Sequence, residues 1–181
     1  MKTLKTDGFE FCFTDAIDAF VFDETDRKKP TFHGAPMKGV DIVAEFEKAY
    51  VYIELKNYDD SSIYDVNIIN MTDEERRSRQ DSFKWLKNYL KYKFRDSYLY
   101  RHAEQKVEKP IHYICLISFD NALNIRMQKS LKQEIPVGRA SNRWVQTLAT
   151  SCQVVNLNKW NENFPKWQVK RLTEDDTTGG A

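Results

Sequence analysis

No apolar run in this chain approaches the roughly 20 residues needed to span a bilayer, and the opening residues, Met1 to Gly8, lack the hydrophobic stretch of a secretory leader. A cytoplasmic protein with no membrane partner is expected. Cysteine is scarce. Cys12, Cys115 and Cys152 are odd in number, far apart and set among apolar neighbours, so they read as reduced core residues rather than a disulfide framework. Neither a CxxC pair nor a His-Cys cluster offers a zinc site. An excess of one charge is also lacking: 28 Lys and Arg face 27 Asp and Glu, for a net charge of +1. Whole-molecule attraction to a polyanion is thereby excluded, and any such partner needs a local basic stripe. Nor is there a phosphate loop, since the basic stretch Gly138 to Arg143 has no such pattern.

What is present suffices for one core. With 41% hydrophobic and 13% aromatic residues in 181, the chain reads as a single domain over residues 1–172. The segment 173–181 is acidic and polar and is expected to be a disordered tail.

The segment Gly39 to Lys56 carries the chemistry. Val40, Ile42, Ala44 and Phe46 alternate along one strand, and Ala49, Val51, Ile53 and Leu55 along a second, which predicts a β-hairpin with one wholly apolar face. A turn of two residues, Glu47 and Lys48, or of four brings Asp41 opposite Glu54, whereas an odd loop would break the apolar face. The turn lacks the Gly or Asn that tight hairpins prefer, so the register rests on the alternation alone. The opposite face holds Asp41, Val43, Glu45, Tyr50, Tyr52, Glu54 and Lys56.

Opposed like charges in a ladder are destabilising. Three things can offset them: the charge of Lys56, a divalent cation between the carboxylates, or a raised carboxyl pKa. All-oxygen ligation with open positions suits Mg²⁺ or Mn²⁺ better than zinc. In the plainest alternative, Asp41, Glu54 and Lys56 are the wet side of an ordinary amphipathic hairpin. Against it, the polar stretch Asn57 to Ser62 puts the pair at a strand end, where open α/β sheets bind ligands.

Around the hairpin the pattern predicts an α/β fold, a central mixed sheet flanked by helices. Phe9, Phe11 and Phe13 alternate as a short strand. Thr14 can cap a helical turn through Asp15, Asp18 and Phe22, although Ala19 to Phe22 reads equally well as extended. Residues 27–37, with two prolines and a glycine, read as a loop. Thr72 with Glu75 forms a capping box that starts a long helix, with Phe83, Leu86, Leu90 and Phe94 at helical spacing and Pro110 ending the run. Ile111 to Phe119 reads as a central strand buried on both faces. There follow a helix from Ala122 to Glu134, a break at Pro136 to Gly138, a helix around Trp144, and a strand from Gln153 to Leu157. Residues 159–172, with Pro165 and two tryptophans, are expected to cover a sheet edge.

Asp41, twelve intervening residues and then Glu54-Leu55-Lys56 resemble the PD-(D/E)XK nuclease superfamily, and the element order resembles its restriction-endonuclease-like fold. Val40 stands where the family's name has proline. The resemblance implies a Mg²⁺- or Mn²⁺-dependent nuclease acting on nucleic acid, with DNA the expected substrate. Asp41 and Glu54 would be metal ligands, helped by the Leu55 carbonyl, and Lys56 would orient or deprotonate the attacking water or contact the scissile phosphate. Many members add an acid from an N-terminal helix, a role for which Asp18 is the candidate and Asp15 the reserve. A non-catalytic nuclease-fold binding or assembly module is the alternative, and a protein unrelated to nucleases a third possibility. With no separate recognition domain, sequence specificity would require loops, a homodimer or a protein partner.

Residues 70–109 hold eleven Lys and Arg against seven Asp and Glu. Lys84, Lys87, Lys91 and Arg95 form a stripe on the long helix, interleaved with Trp85, Tyr89 and Tyr92. Such a stripe can track a phosphate backbone, or simply be the solvated side of the helix. His33 and His102 read as ordinary surface residues, and His112 as packing at the start of a buried strand.

Overall fold

The computed structural model describes residues 1–58, 60–65, 68, 70–138 and 141–173. The expected acidic tail from residue 174 on, and Arg139 and Ala140 of the basic stretch, lie outside the described residues.

Among the described residues, two sheets and three α-helices make up the fold. Strands β3 (Asp18–Val21), β4 (Ile42–Glu45), β5 (Tyr50–Lys56), β6 (Ile111–Ile117) and β7 (Ser151–Val155) form a five-stranded sheet in chain order. The first three strands run antiparallel, and β5, β6 and β7 are parallel. The parallel steps need crossovers, supplied by α1 (Asp73–Ala103) and α2 (Asn121–Lys132). A second, antiparallel sheet contains β1 (Lys2–Thr6), β2 (Phe9–Phe13) and β8 (Trp167–Arg171) in the order β1-β2-β8, with α3 (Leu157–Asn163) leading into β8.

The five-stranded sheet is buried on both faces. On one, Val43, Tyr52, Tyr113 and Cys115 pack against Leu86, Leu90 and Phe94 of α1 and Leu123 and Met127 of α2. On the other, Ile42, Ala44, Val51, Ile53 and Leu55 pack against Phe9, Phe11 and Phe13 of β2, Trp160 of α3 and Val169 of β8. The hairpin alternation therefore sorts side chains between two cores, not between core and solvent. This removes the reading of the charged face as a wet surface, since Tyr50, Tyr52 and Glu54 are all fully buried.

The register is the expected one. Ile42 pairs with Ile53 and Glu45 with Tyr50, and the Phe46 N–H donates to the Ala49 carbonyl at 2.8 Å across Glu47 and Lys48. The capping box forms in full, with Thr72 Oγ1 accepting from the Glu75 N–H and the Glu75 carboxylate accepting from the Thr72 N–H. β6 coincides with the predicted central strand and is flanked on both sides by parallel neighbours.

Of the two readings open for Ala19 to Phe22 the extended one holds, and three expectations are corrected. Residues 18–21 are a strand: the apolar Ala19, Phe20 and Val21 find an edge position beside β4, which outweighs the capping potential of Thr14. The long helix stops at Ala103, not at Pro110, because Gln105 turns left-handed (φ 59°) and the Lys106 N–H closes on the Arg101 carbonyl. No helix forms around Trp144, where Ser141 instead organises a turn by accepting from the Trp144 and Arg143 N–H groups. Residues 159–172 supply α3 and β8, and β8 pairs with β2 in the second sheet rather than covering an edge of the first. Among the described residues, no helix is long and apolar enough to cross a membrane.

Candidate functional site

Continuing the β4–β5 register one step past Ile42 and Ile53 sets Asp41 level with Glu54 at the end of the hairpin. Asp41 is fixed by its own backbone and side chain: its carbonyl accepts from the Phe22 N–H at 2.9 Å, and Oδ2 accepts from the Leu55 N–H at 2.6 Å. Helix α1 holds the approach to it. Asp96 accepts from the Lys38 N–H at 2.9 Å, and Ser97 Oγ accepts from the buried Val40 N–H at 2.8 Å while donating to the Lys93 carbonyl. Between them Gly39 passes so close to Phe22 and His33 that a Cβ would lie 3.1–3.2 Å from both rings. His33, expected at the surface, is in fact buried and stacks on Tyr100 at 4.4 Å between ring centroids.

Glu54 is 0% exposed, so its carboxylate is cut off from solvent. Its partners are ionic: the Lys56 ammonium lies 2.7 Å from Oε1, and that of Lys93 lies 3.5 Å from Oε2. Lys93 is also 3.4 Å from Asp41 Oδ1 and 2.9 Å from Asp23 Oδ2. One ammonium, 3% exposed as a residue, thus sits among three carboxylates.

The electrostatics follow from this burial. Loss of solvent pushes the Glu54 carboxyl up to about 8, the adjacent Asp41 charge adds to the rise, and Lys56 and Lys93 oppose it. Burial also raises Asp41, against the pull of Lys93, Lys56 and the Leu55 N–H. For Lys56 and Lys93 burial works the other way, but the Glu54 and Asp41 carboxylates outweigh it and raise both lysines. Two of the three offsets expected from the sequence, a lysine charge and a raised carboxyl pKa, are therefore present together.

Asp41, Glu54, Leu55 and Lys56 are brought together; Asp18 is not. It pairs with Glu45 at the other end of the hairpin and is 3.6 Å from Lys2. Asp15 accepts from the Trp167 indole N–H. The third acid at the centre is Asp23, just beyond β3, where the antiparallel register carries it past Phe22 to the level of Val40. Sequence reasoning missed both Asp23 and Lys93. For Lys93 a signal existed: Leu86, Leu90, Lys93 and Ser97 fall on one helical face, so this lysine lies on the core side of α1 and requires acidic partners.

The basic stripe is largely spent within the fold. Lys87 and Lys91 pair with Glu134 at 2.7 and 3.2 Å, and Arg95 donates to the Glu134 carbonyl. Only Lys84 and Arg95 of its four members are exposed. Cys12, Cys115 and Cys152 are free thiols.

The donor set suits a hard cation in kind. The Glu54 oxygens meet the ammonium groups of Lys56 and Lys93, and Asp41 Oδ1 meets that of Lys93 at 3.4 Å, so the carboxylate oxygens already face positive charge. Among the described residues no group of three or more His, Cys, Asp or Glu side chains forms a cage for an ion. Mg²⁺ commonly uses one or two carboxylates and completes its shell with water and substrate oxygens, so the Asp41–Glu54 pair fits that mode. No protein-family model, curated protein or solved structure matches this chain. The functional reading therefore rests on the site.

Proposed function

We propose that this chain is a restriction-endonuclease-like, metal-dependent nuclease that hydrolyses phosphodiester bonds of nucleic acid, with DNA as its substrate. The observation that carries the reading is the opposed pair of partly buried Asp41 and fully buried Glu54, with Lys56 at 2.7 Å from Glu54 at the end of the antiparallel hairpin. The arrangement around it supports the same reading, because the hairpin is joined through α1 to a parallel strand in the order expected of that fold.

Asp41 and Glu54 would hold Mg²⁺ or Mn²⁺, with the Leu55 backbone beside them. A bound divalent cation supplies Lewis-acid activation of water near neutral pH and compensates charge on the phosphate. The chain's own part is positioning. The Leu55 N–H fixes one oxygen of Asp41 and leaves the other 3.4 Å from the Lys93 ammonium. Lys56 is kept protonated by the two carboxylates, which suits it to donate to a scissile phosphate oxygen rather than to take a proton from water. Lys93 compensates the pair and lies 2.9 Å from Asp23, which would remain its partner with a divalent cation at Asp41 and Glu54.

Incubation of the purified protein with DNA or RNA and Mg²⁺ or Mn²⁺ tests the proposal. Cleavage of DNA that is lost at least a hundredfold in Glu54→Ala is expected. If no nucleic acid is cut, or if Glu54→Ala cuts as well as the parent, the proposal fails. One observation favours the second reading, a non-catalytic module: Lys93 and Lys56 already supply counter-charge to the carboxylates. Calorimetry separates the two, because such a module would bind nucleic acid or protein without binding a divalent cation at Glu54.

A further inference from the structure

Lys93, Tyr89 and Trp85 fall four residues apart on α1 and so form one ridge along the helix. Its inner end is the buried ammonium at the carboxylate centre, and its outer end, a helical rise of about 12 Å away, is an indole 59% exposed. Trp85 belongs to neither core. Its ring stacks on that of Tyr89 with centroids 5.3 Å apart and planes 20° from parallel. Tyr89 is in turn ringed by cations, with Lys56 at 5.0 Å, Lys38 at 5.1 Å and Lys93 at 5.6 Å from its centroid. Lys38 is exposed, and so is Lys84, the residue before Trp85 in the helix.

A tryptophan that supports no core, stacked on a tyrosine with lysines nearby, is a surface for a flat, anionic ligand. An apolar peptide would gain from the indole but not from the lysines around the tyrosine. A nucleotide gains from both, through stacking of the base and through contact of its phosphate with an ammonium. The base must have a free face. Within a duplex those faces are covered by neighbouring bases, whereas an unpaired strand presents them. We propose that Trp85 and Tyr89 form a stacking platform for an unpaired base, and that the strand delivered to Asp41, Glu54 and Lys56 is single-stranded or locally unpaired. This rests on the nuclease reading of the carboxylate centre and specifies its substrate.

Fluorescence anisotropy of a short labelled single-stranded DNA, and of a blunt duplex of the same sequence, tests the platform. Measurements in EDTA on the full chain prevent cleavage. Trp85→Ala is expected to weaken single-strand binding roughly tenfold or more, Trp85→Phe to retain most of it, and duplex binding to be weaker than single-strand binding in the parent and little changed by either substitution. The platform is overturned if Trp85→Ala binds the single strand as tightly as the parent, if single-strand and duplex binding fall alike, or if the parent prefers the duplex or binds neither. Cleavage with Mg²⁺ is scored separately on the same proteins and on Glu54→Ala. Trp85-dependent binding without any cleavage would remove the nuclease reading and leave the platform. Glu54-dependent cleavage with binding indifferent to Trp85 would do the reverse.

Discussion

Lys93 sits on the core face of its helix, and three carboxylates account for that position. Asp23, Asp41 and Glu54 all lie within 3.5 Å of its ammonium. Removing one partner of a buried ionic group leaves uncompensated charge, which costs about 3–5 kcal/mol. Lys93→Met is therefore expected to lose about that much stability near pH 8 in chemical denaturation, and less at pH 5, where Glu54 is protonated. If the carboxylates form a cation site, Mg²⁺ will raise the melting temperature of Lys93→Met more than that of the parent. Glu54 gives a second prediction at this scale. Its folded-state pKa of about 8 lies above the ordinary 4.5, so between those values the folded chain holds a proton that the unfolded chain releases. The associated stability is complete below about pH 4.5 and is lost as pH rises through 8. One proton contributes about 1.4 kcal/mol per pH unit, or roughly 3–6 °C for a chain of this size. Scanning calorimetry of the metal-free protein should show the melting temperature falling from pH 5 to pH 8, and falling less in Glu54→Gln. Equal slopes in the two proteins would contradict the raised pKa.

The hairpin was legible at the scale of elements, because a one-residue slip would have sent every apolar side chain to the wrong face. That argument gave Asp41 opposite Glu54 without any turn signal. It could not tell that the second face was also covered, since Tyr50 and Tyr52 read as polar-capable residues on a solvated surface until α1 lies over them. The capping box at Thr72 was equally legible, being a local pattern completed by its own backbone. What escaped was decided by distant partners. Ala19 to Val21, which read equally well as helical or extended, becomes a strand because β4 offers an open edge, and Asp23 replaces Asp18 as the third acid only once that strand exists. Residues 159–172 hold their place through β2, some 150 positions away in sequence. The link from α1 to Asp41 also belongs to this scale. Ser97 accepts the buried N–H of Val40, so Ser97→Ala should cost about 1–3 kcal/mol in denaturant unfolding. It should also reduce divalent-cation affinity by calorimetry, since the next residue is Asp41.

Across the whole molecule, charge is nearly balanced, and much of the local basic excess is consumed internally. Lys87 and Lys91 pair with Glu134, Lys93 with the centre, and Lys109 with Glu45. Three cations are candidates for a nucleic-acid strand near the centre: Lys38 and Lys84, both exposed, and Lys56, which a phosphate would share with Glu54. Three phosphate contacts on a single strand imply a slope of about −2 in log K against log salt concentration. A titration series at increasing salt should give that shallow slope, whereas a slope two or three times steeper would require the paired stripe on α1 to open and bind. Net charge and composition were legible from the sequence but did not identify a substrate, because what matters is which lysines the fold leaves unpaired.

The central claim is that Asp41 and Glu54 share a divalent cation. Anomalous diffraction from a crystal soaked in Mn²⁺ tests it most directly. The account predicts one anomalous peak bonded to both carboxylates, with the Lys93 ammonium drawn toward Asp23. No peak at saturating Mn²⁺, with Lys93 still lodged between Asp41 and Glu54, would contradict it.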